Sequence, residues 1–282
     1  MKKITPQELA RKVEELPALP AVVHKVMELV EDPRASAQDL EAVLKKDQSL
    51  TAQVLRLANS AFYGIPRRIT TVSEATVFLG FKTVKSVVLT ASLSGMMQRK
   101  LSGYVLERGE LWKHSLSVAF SAQMLAKKTK FPHPEVAYTA GLLHDIGKLI
   151  LDAYLKASYR EVLERVDRTG STFLEAEEEI LGFNHAAVGA QLTEHWGFPS
   201  SLVEAIGFHH QPDLATKDPS LCAITHLADW MSVTLGVGMG VDGFLYRVSP
   251  EALAVLSLEK ASLEELILEL SQILSDPDVF SL

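Results

Sequence analysis

Seven residues of metal-binding type are spread over five apolar segments of this chain: His114, His144, Asp145, His185, His209, His210 and Asp229. His114 shares a helical stripe with Val118, Ser121, Ala122 and Leu125 and therefore faces inward. His144 and Asp145 fall in Ala140-Gly141-Leu142-Leu143-His144-Asp145-Ile146-Gly147-Lys148, which reads as the middle of a helix that is apolar nearly all round and hence buried. His185 follows Asn184, a suitable N-cap, at the start of a helix carrying Val188 and Leu192. His209 and His210 end a helix whose inner face is Leu202 and Ile206, and Asp229 lies between Ala228 and Trp230 on the last helix of the block.

An ionised aspartate in such a setting is costly unless it is paired or holds a cation. Adjacent helical residues point about 100° apart, so His144 and Asp145 cannot chelate one ion neatly. They can place a shared Asp145 between two ions. The expected division sets His114, His144, Asp145 and Asp229 around one ion and Asp145, His185, His209 and His210 around the other. Imidazoles and carboxylates in this mixture suit Fe, Mn, Zn, Co or Ni rather than Ca or Mg. The expected cofactor is thus two divalent transition-metal ions, with Fe or Mn ahead of Zn, Ni and Co. Two ions could activate a water between them for attack on phosphorus. Lys148, one turn after His144, would neutralise a phosphate oxygen, which makes Asp145 and Lys148 the residues expected to carry catalysis. Of the other four histidines, His24, His133 and His195 fit no ligand pattern, and His226 could support Asp229 from one turn away.

The elements that must position these groups are helical throughout, with no convincing alternating strand, so the fold class is all-α. After Leu16-Pro17-Ala18-Leu19-Pro20, a rigid lead-in, Val22, Val23, Val26, Leu29 and Val30 form a stripe that ends before Asp32-Pro33. Ser36 reads as an N-cap for Asp39–Lys46, and Ser49 as the cap of the next helix, which Gly64 and Pro66 stop. Ser73–Phe78 and Thr83–Ser94 read as two helices joined at Leu79-Gly80-Phe81. A linker-like stretch around Ser102-Gly103 precedes a helical block from about Leu106 to Gly236. Gly236, Gly238, Gly240 and Gly243 form a turn with no preceding strand, and therefore no phosphate-binding loop. Pro250–Leu274 closes with one or two amphipathic helices. The resulting organisation is an N-terminal helical lobe over 1–100, a metal-binding helical core over 101–240 and a C-terminal helical extension over 241–282.

Composition narrows the function. The chain has 282 residues, 47% of them hydrophobic, and a net charge of -7 with scattered basic residues, which argues against nucleic acid as a partner. Arg67, Arg68, Lys82 and Lys85 form the one small basic cluster, read as a solvated helix face. With one cysteine, Cys222, the chain can form no internal disulfide, in keeping with a reducing cytoplasm. Neither a signal peptide nor an apolar run long enough for a membrane span is present.

A further set of motifs carries a family resemblance. Leu16-Pro17-Ala18-Leu19-Pro20, Lys46-Asp47-Gln48-Ser49-Leu50-Thr51 and Leu55-Arg56-Leu57-Ala58-Asn59-Ser60-Ala61 are similar to the N-terminal signature of HDOD domains. Thr70–Gly80, His144-Asp145-Ile146-Gly147-Lys148, His185 and Gly197-Phe198-Pro199 continue the match over roughly residues 14 to 235. The resemblance implies an all-α bacterial signalling domain related to HD metal-dependent phosphohydrolases and to the HD-GYP phosphodiesterases of cyclic di-GMP. Many HDOD proteins have lost the HD ligands, whereas this chain retains them. Conversely, Gln211-Pro212-Asp213-Leu214 stands where an HD-GYP protein carries its glycine-tyrosine-proline loop, which speaks against cyclic di-GMP hydrolysis. Glu110 sits where some HD-GYP relatives have an additional metal-site carboxylate, but reads here as an exposed helix residue. The expectation is a signalling module with an unidentified protein partner, the alternative a phosphohydrolase acting on a phosphorylated small molecule. A redox- or oxygen-sensing di-iron site would use the same ligands.

Overall fold

A computed structural model describes residues 3–15, 18–238, 240, 248–276 and 279–280. Leu16 and Pro17 of the lead-in and Gly243 of the glycine loop lie outside the described residues. Among those described, every regular element is helical, and extended pairing is confined to an isolated bridge between Leu101 and Leu106. The order is α1 (Pro6–Glu15), α2 (Ala21–Glu31), α3 (Ala37–Leu44), α4 (Gln48–Ala58), α5 (Val72–Leu79), α6 (Phe81–Met97), α7 (Glu110–Lys128), α8 (Pro134–Leu143), α9 (Lys148–Thr169), α10 (Phe173–Leu181), α11 (His185–His195), α12 (Ser200–Gly207), α13 (Pro219–Thr234), α14 (Pro250–Val255) and α15 (Lys260–Leu274). Short 3-10 turns occur at Ala61–Tyr63 and Pro212–Leu214. No helix among the described residues is long and apolar enough to cross a membrane.

Side-chain caps set many of these boundaries. Ser36 and Asp39 form a capping box at the start of α3, and Asn184 accepts from the Ala187 amide at the start of α11. Helix α4 is capped by Asp47 instead of Ser49: the Asp47 carboxylate accepts from the Leu50 amide at 2.9 Å. An anion at Asp47 also meets the positive end of the helix dipole, so the helix begins two residues early and Ser49 falls inside its first turn.

The chain divides into two compact units, one of Met1–Leu16 with Met97–Leu270, the other of Pro17–Met96 with Ser271–Leu282. In the smaller unit α3 packs against α2, α4 and α5 around Leu40, Leu44, Val54 and Leu57. In the larger unit α7 is central and buried almost continuously from Leu111 to Ala126, with α8 and α13 against it. Small residues allow these close crossings. A Cβ on Gly141 would lie 2.7 Å from the Val118 carbonyl oxygen, and the Ser117 and Ser232 hydroxyls of α7 and α13 meet at 2.8 Å. The stretch at Ser102-Gly103 is no linker. Gly103 donates its amide to Asp152 at 2.7 Å, a Cβ there would meet the Asp152 carbonyl oxygen at 2.5 Å, and the next residue, Tyr104, is fully buried. Small residues here serve close approach, which composition alone does not separate from flexibility.

Glu204 of α12 closes the turn leading into α13. Its carboxylate accepts from the amides of Thr216, Lys217 and Asp218 at 2.8, 2.6 and 3.1 Å. Burial raises its pKa, but these amides and the Thr216 hydroxyl outweigh burial and hold it below the usual range. A depressed folded pKa stabilises the fold above the unfolded value and loses that stabilisation as pH falls through the folded one. Glu204→Gln should therefore cost about 1 kcal/mol at neutral pH. Urea denaturation should show the gap from the parent chain closing below about pH 4.

Candidate metal centre

All seven residues lie in the larger unit, and five elements bring them together. Helix α7 carries His114, the turn after α8 carries His144 and Asp145, and α11 begins at His185. His209 and His210 lie in the turn just past the end of α12, and α13 carries Asp229. His144 and Asp145 do not sit mid-helix, contrary to the sequence expectation. Helix α8 ends at Leu143, α9 begins at Lys148, and the chain between turns through i→i+3 bonds, Ile146 to Leu143 and Lys148 to Asp145, each 3.0 Å. The cause is the approach of α11: a Cβ on Gly147 would lie 2.0 Å from the His185 carbonyl oxygen. An all-round apolar pattern marks burial but does not distinguish a buried helix from a buried turn.

Asp145 is central. One carboxylate oxygen, Oδ1, lies 3.4 Å from His185 Nε2, while Oδ2 lies 3.6 Å from His114 Nε2 and 3.4 Å from His144 Nε2. Asp229 Oδ1 joins the second side, 3.0 Å from His114 Nε2 and 3.7 Å from His144 Nε2. His185 Nε2 lies 3.0 Å from His210 Nε2. Metal-capable atoms thus gather into His114, His144 and Asp229, into His185, His209 and His210, and into a linking group of His144, Asp145 and His209.

The outer face of each ring fixes what the inner face offers. His144 Nδ1 lies 2.7 Å from the Gly141 carbonyl, His209 Nδ1 2.7 Å from that of Ile206, and His114 Nδ1 3.0 Å from that of Val237. A carbonyl only accepts, so each Nδ1 carries hydrogen, and a neutral ring then turns an Nε2 lone pair inward. His144 Nε2 and His209 Nε2 are buried without a hydrogen-bond partner. Buried polar atoms are rarely left so; lone pairs converging beside two carboxylates suit a cation.

Electrostatics agree. Burial pulls His144 down, but the fields of Asp145 and Asp229 outweigh it and raise its pKa. Burial, then the charges of His144 and His185, push His209 down to about 3. His210 is driven well below the ordinary range by burial and by His209. Asp145 and Asp229 stay ionised despite burial, the first held low by Lys148 and His144, the second by His144 and His114. The two buried carboxylates call for positive charge beside them, which protonated imidazoles or a bound cation would supply.

Lys148 Nζ touches Asp145 Oδ2 and lies 5.5 Å from the centre of the Tyr104 ring. Two supporting residues escape sequence reasoning. Glu177 is fully buried, and its Oε2 accepts from His185 Nδ1 at 2.7 Å and from the His185 amide at 3.1 Å. Tyr104 donates its hydroxyl to Glu177 Oε1 at 2.5 Å. The signal was there, since Glu177 sits on the apolar stripe of Phe173 and Leu181, but the acidic run Glu175–Glu179 hides it. A carboxylate behind a ligating imidazole raises its basicity and fixes its ring. Glu177→Gln, which keeps an acceptor but loses the charge, should weaken metal retention about tenfold in a chelator titration.

The glycine loop has a second role: Val237 accepts from His114, and a Cβ on Gly238 would lie 2.4 Å from the Glu110 carbonyl oxygen. His226 braces the ligand turn from behind, its Nδ1 donating to the His209 carbonyl at 2.7 Å and its Nε2 accepting from the Ser249 amide at 2.9 Å. Glu110 accepts from the Glu107 amide at 2.7 Å and joins none of the three ligand groups. Nor do His24, His133 or His195.

A family model for the HDOD domain matches residues 16–212. A solved HDOD domain protein of unknown function from Geobacter sulfurreducens is 28% identical, covers 97% of this chain and 98% of its own, and superposes with a TM-score of 0.77. A candidate phosphohydrolase from Shewanella amazonensis SB2B is 28% identical with 96% and 95% coverage and a TM-score of 0.73. An uncharacterised protein of Treponema pallidum is 26% identical over 213 residues, 72% of this chain. The chain spans 39% of that relative's length.

Proposed function

The chain belongs to the HDOD family, and on that premise we propose that it is a regulatory HD-related module whose buried cluster holds two transition-metal ions. The observation that carries this reading is the convergence of buried imidazole nitrogens on two carboxylates, with His144 Nε2 and His209 Nε2 both outside hydrogen-bond geometry. In this reading His114, His144 and Asp229 hold one ion, His185, His209 and His210 the other, and Asp145 bridges. Fe or Mn is the expected pair, and the same imidazole and carboxylate donors also accommodate Zn, Ni or Co. Bound ions would supply Lewis acidity toward a phosphoryl oxygen or a redox couple.

The regulatory reading is preferred because phosphate-binding groups are sparse around the cluster. Lys148 is already engaged by Asp145, and no arginine among the described residues contacts the cluster. A phosphoryl substrate ordinarily needs several such donors. The output would then be contact with a signalling protein, in a reducing cytoplasm. A phosphohydrolase is the second reading, favoured by the Lys148 ammonium beside Asp145 and by likeness to the Shewanella amazonensis protein. There Lys148 would donate to a phosphate oxygen and Asp145 would orient the attacking group. Cyclic di-GMP is not an expected substrate, since the 3-10 turn Pro212–Leu214 follows the histidine pair in place of the HD-GYP loop.

Chelator-free protein incubated with bis(p-nitrophenyl) phosphate and with cyclic di-GMP separates the readings. The regulatory module should hydrolyse neither appreciably. Turnover of about 1 per second or faster, lost in Asp145→Ala, would establish the enzyme instead.

A further inference from the structure

We propose that the smaller unit contains a second ligand site, a basic cavity that binds the phosphate groups of a nucleotide-sized phosphorylated small molecule. The cavity, about 990 Å³, lies between the C-terminal half of α4 and the segment from Ile65 to Thr70. Arg56, Arg67 and Arg68 line it, and among the described lining residues Asp276 is the one carboxylate. The basic cluster read from the sequence is thereby regrouped. Lys85 is taken by Glu31 at 3.1 Å, whereas Arg67 and Arg68 join Arg56, which is far from them in the sequence but shares their cavity. Arg67 makes a long contact of 3.5 Å to Glu74 and lies over the Phe78 ring at 4.8 Å. Arg56 and Arg68 have no ion-pair partner among the described residues.

The walls of this cavity are fixed in advance. Asn59 pairs with Ile69 in both directions, accepting from its amide at 2.7 Å and donating to its carbonyl at 2.9 Å. Thr70 is tied by its amide and hydroxyl to Glu74 at 2.8 and 2.9 Å. Guanidinium groups rising from a held backbone lose less freedom on binding, and their planar forks match phosphate oxygens in pairs. Ser60 also lines the cavity, and its buried hydroxyl has no hydrogen-bond partner. Leu55, Ile65 and Ile69 form an apolar wall suited to a base or another uncharged moiety. The volume lies within the ~300–1,000 Å³ typical of small-molecule sites, and the overall charge of -7 argues against a nucleic-acid polymer.

Isothermal titration of the full chain at low salt tests this with inorganic pyrophosphate, ADP and a hexaglutamate peptide as probes. ADP should bind saturably and at least as tightly as pyrophosphate, because it also meets the apolar wall. The double variant Arg56→Ala/Arg68→Ala should weaken ADP binding about tenfold or more with an unchanged melting temperature, as both side chains are exposed. Three results would overturn the proposal. These are no saturable binding of either phosphate probe up to about 1 mM, ADP affinity equal in parent and double variant, and binding of hexaglutamate alone.

Discussion

Asp145→Ala is expected to empty both metal positions and to lower stability by several kcal/mol. Its two oxygens face different ligand groups, Oδ1 toward His185 and Oδ2 toward His114 and His144. No other residue of the cluster spans both in this way. The substitution also takes from Lys148, only 4% exposed, the carboxylate that it touches. Breaking a buried ion pair on one side costs about 3–5 kcal/mol, and the lost metal-binding free energy adds to it, because ligation is coupled to folding. His144→Ala removes a ligand from one side and should deplete one ion. Metal content and thermal denaturation of the two variants distinguish a bridging from a peripheral Asp145.

Gly147→Ala should be nearly as damaging, for a steric reason. The backbone at Gly147 has ordinary helical angles, φ -64° and ψ -23°, so alanine suffers no conformational penalty. Its Cβ would nevertheless fall 2.0 Å from the His185 carbonyl oxygen and 2.6 Å from the Gly189 amide nitrogen. Both are backbone atoms of α11 and cannot swing aside. Helix α11 must move, carrying His185 away from Asp145. The expected loss is about 3 kcal/mol, with reduced metal content. Gly95→Ala in α6 is the control. A Cβ there meets nothing within 4 Å, so the change should be neutral or stabilising by up to about 1 kcal/mol. Equal melting temperatures for the two variants would refute the packing argument.

These two glycine positions indicate what a linear reading can and cannot reach. Residue type and local pattern identified the all-helical class, the caps at Ser36 and Asn184, and a set of seven metal-type residues that the structure gathers in one place. Those inferences need only neighbours in sequence. The turn at His144–Gly147 reads as helix in the sequence because Ala140, Leu142, Leu143 and Ile146 are buried whether the chain runs straight or bends. Gly147 and Gly238 act through backbone from distant segments, which no local pattern reports. Glu177 was hidden by its acidic neighbours, although its place on the stripe of Phe173 and Leu181 was a usable sign. Arg56 and Arg68 belong together only after Asn59 folds the loop back on α4.

The central claim is that the seven-residue cluster is a two-ion site. Elemental analysis of the chain purified without added metal or chelator tests it most directly, as a ratio of transition metal to protein. The ratio should be about two per chain, in keeping with a two-metal centre. A chain holding one ion or none would contradict it.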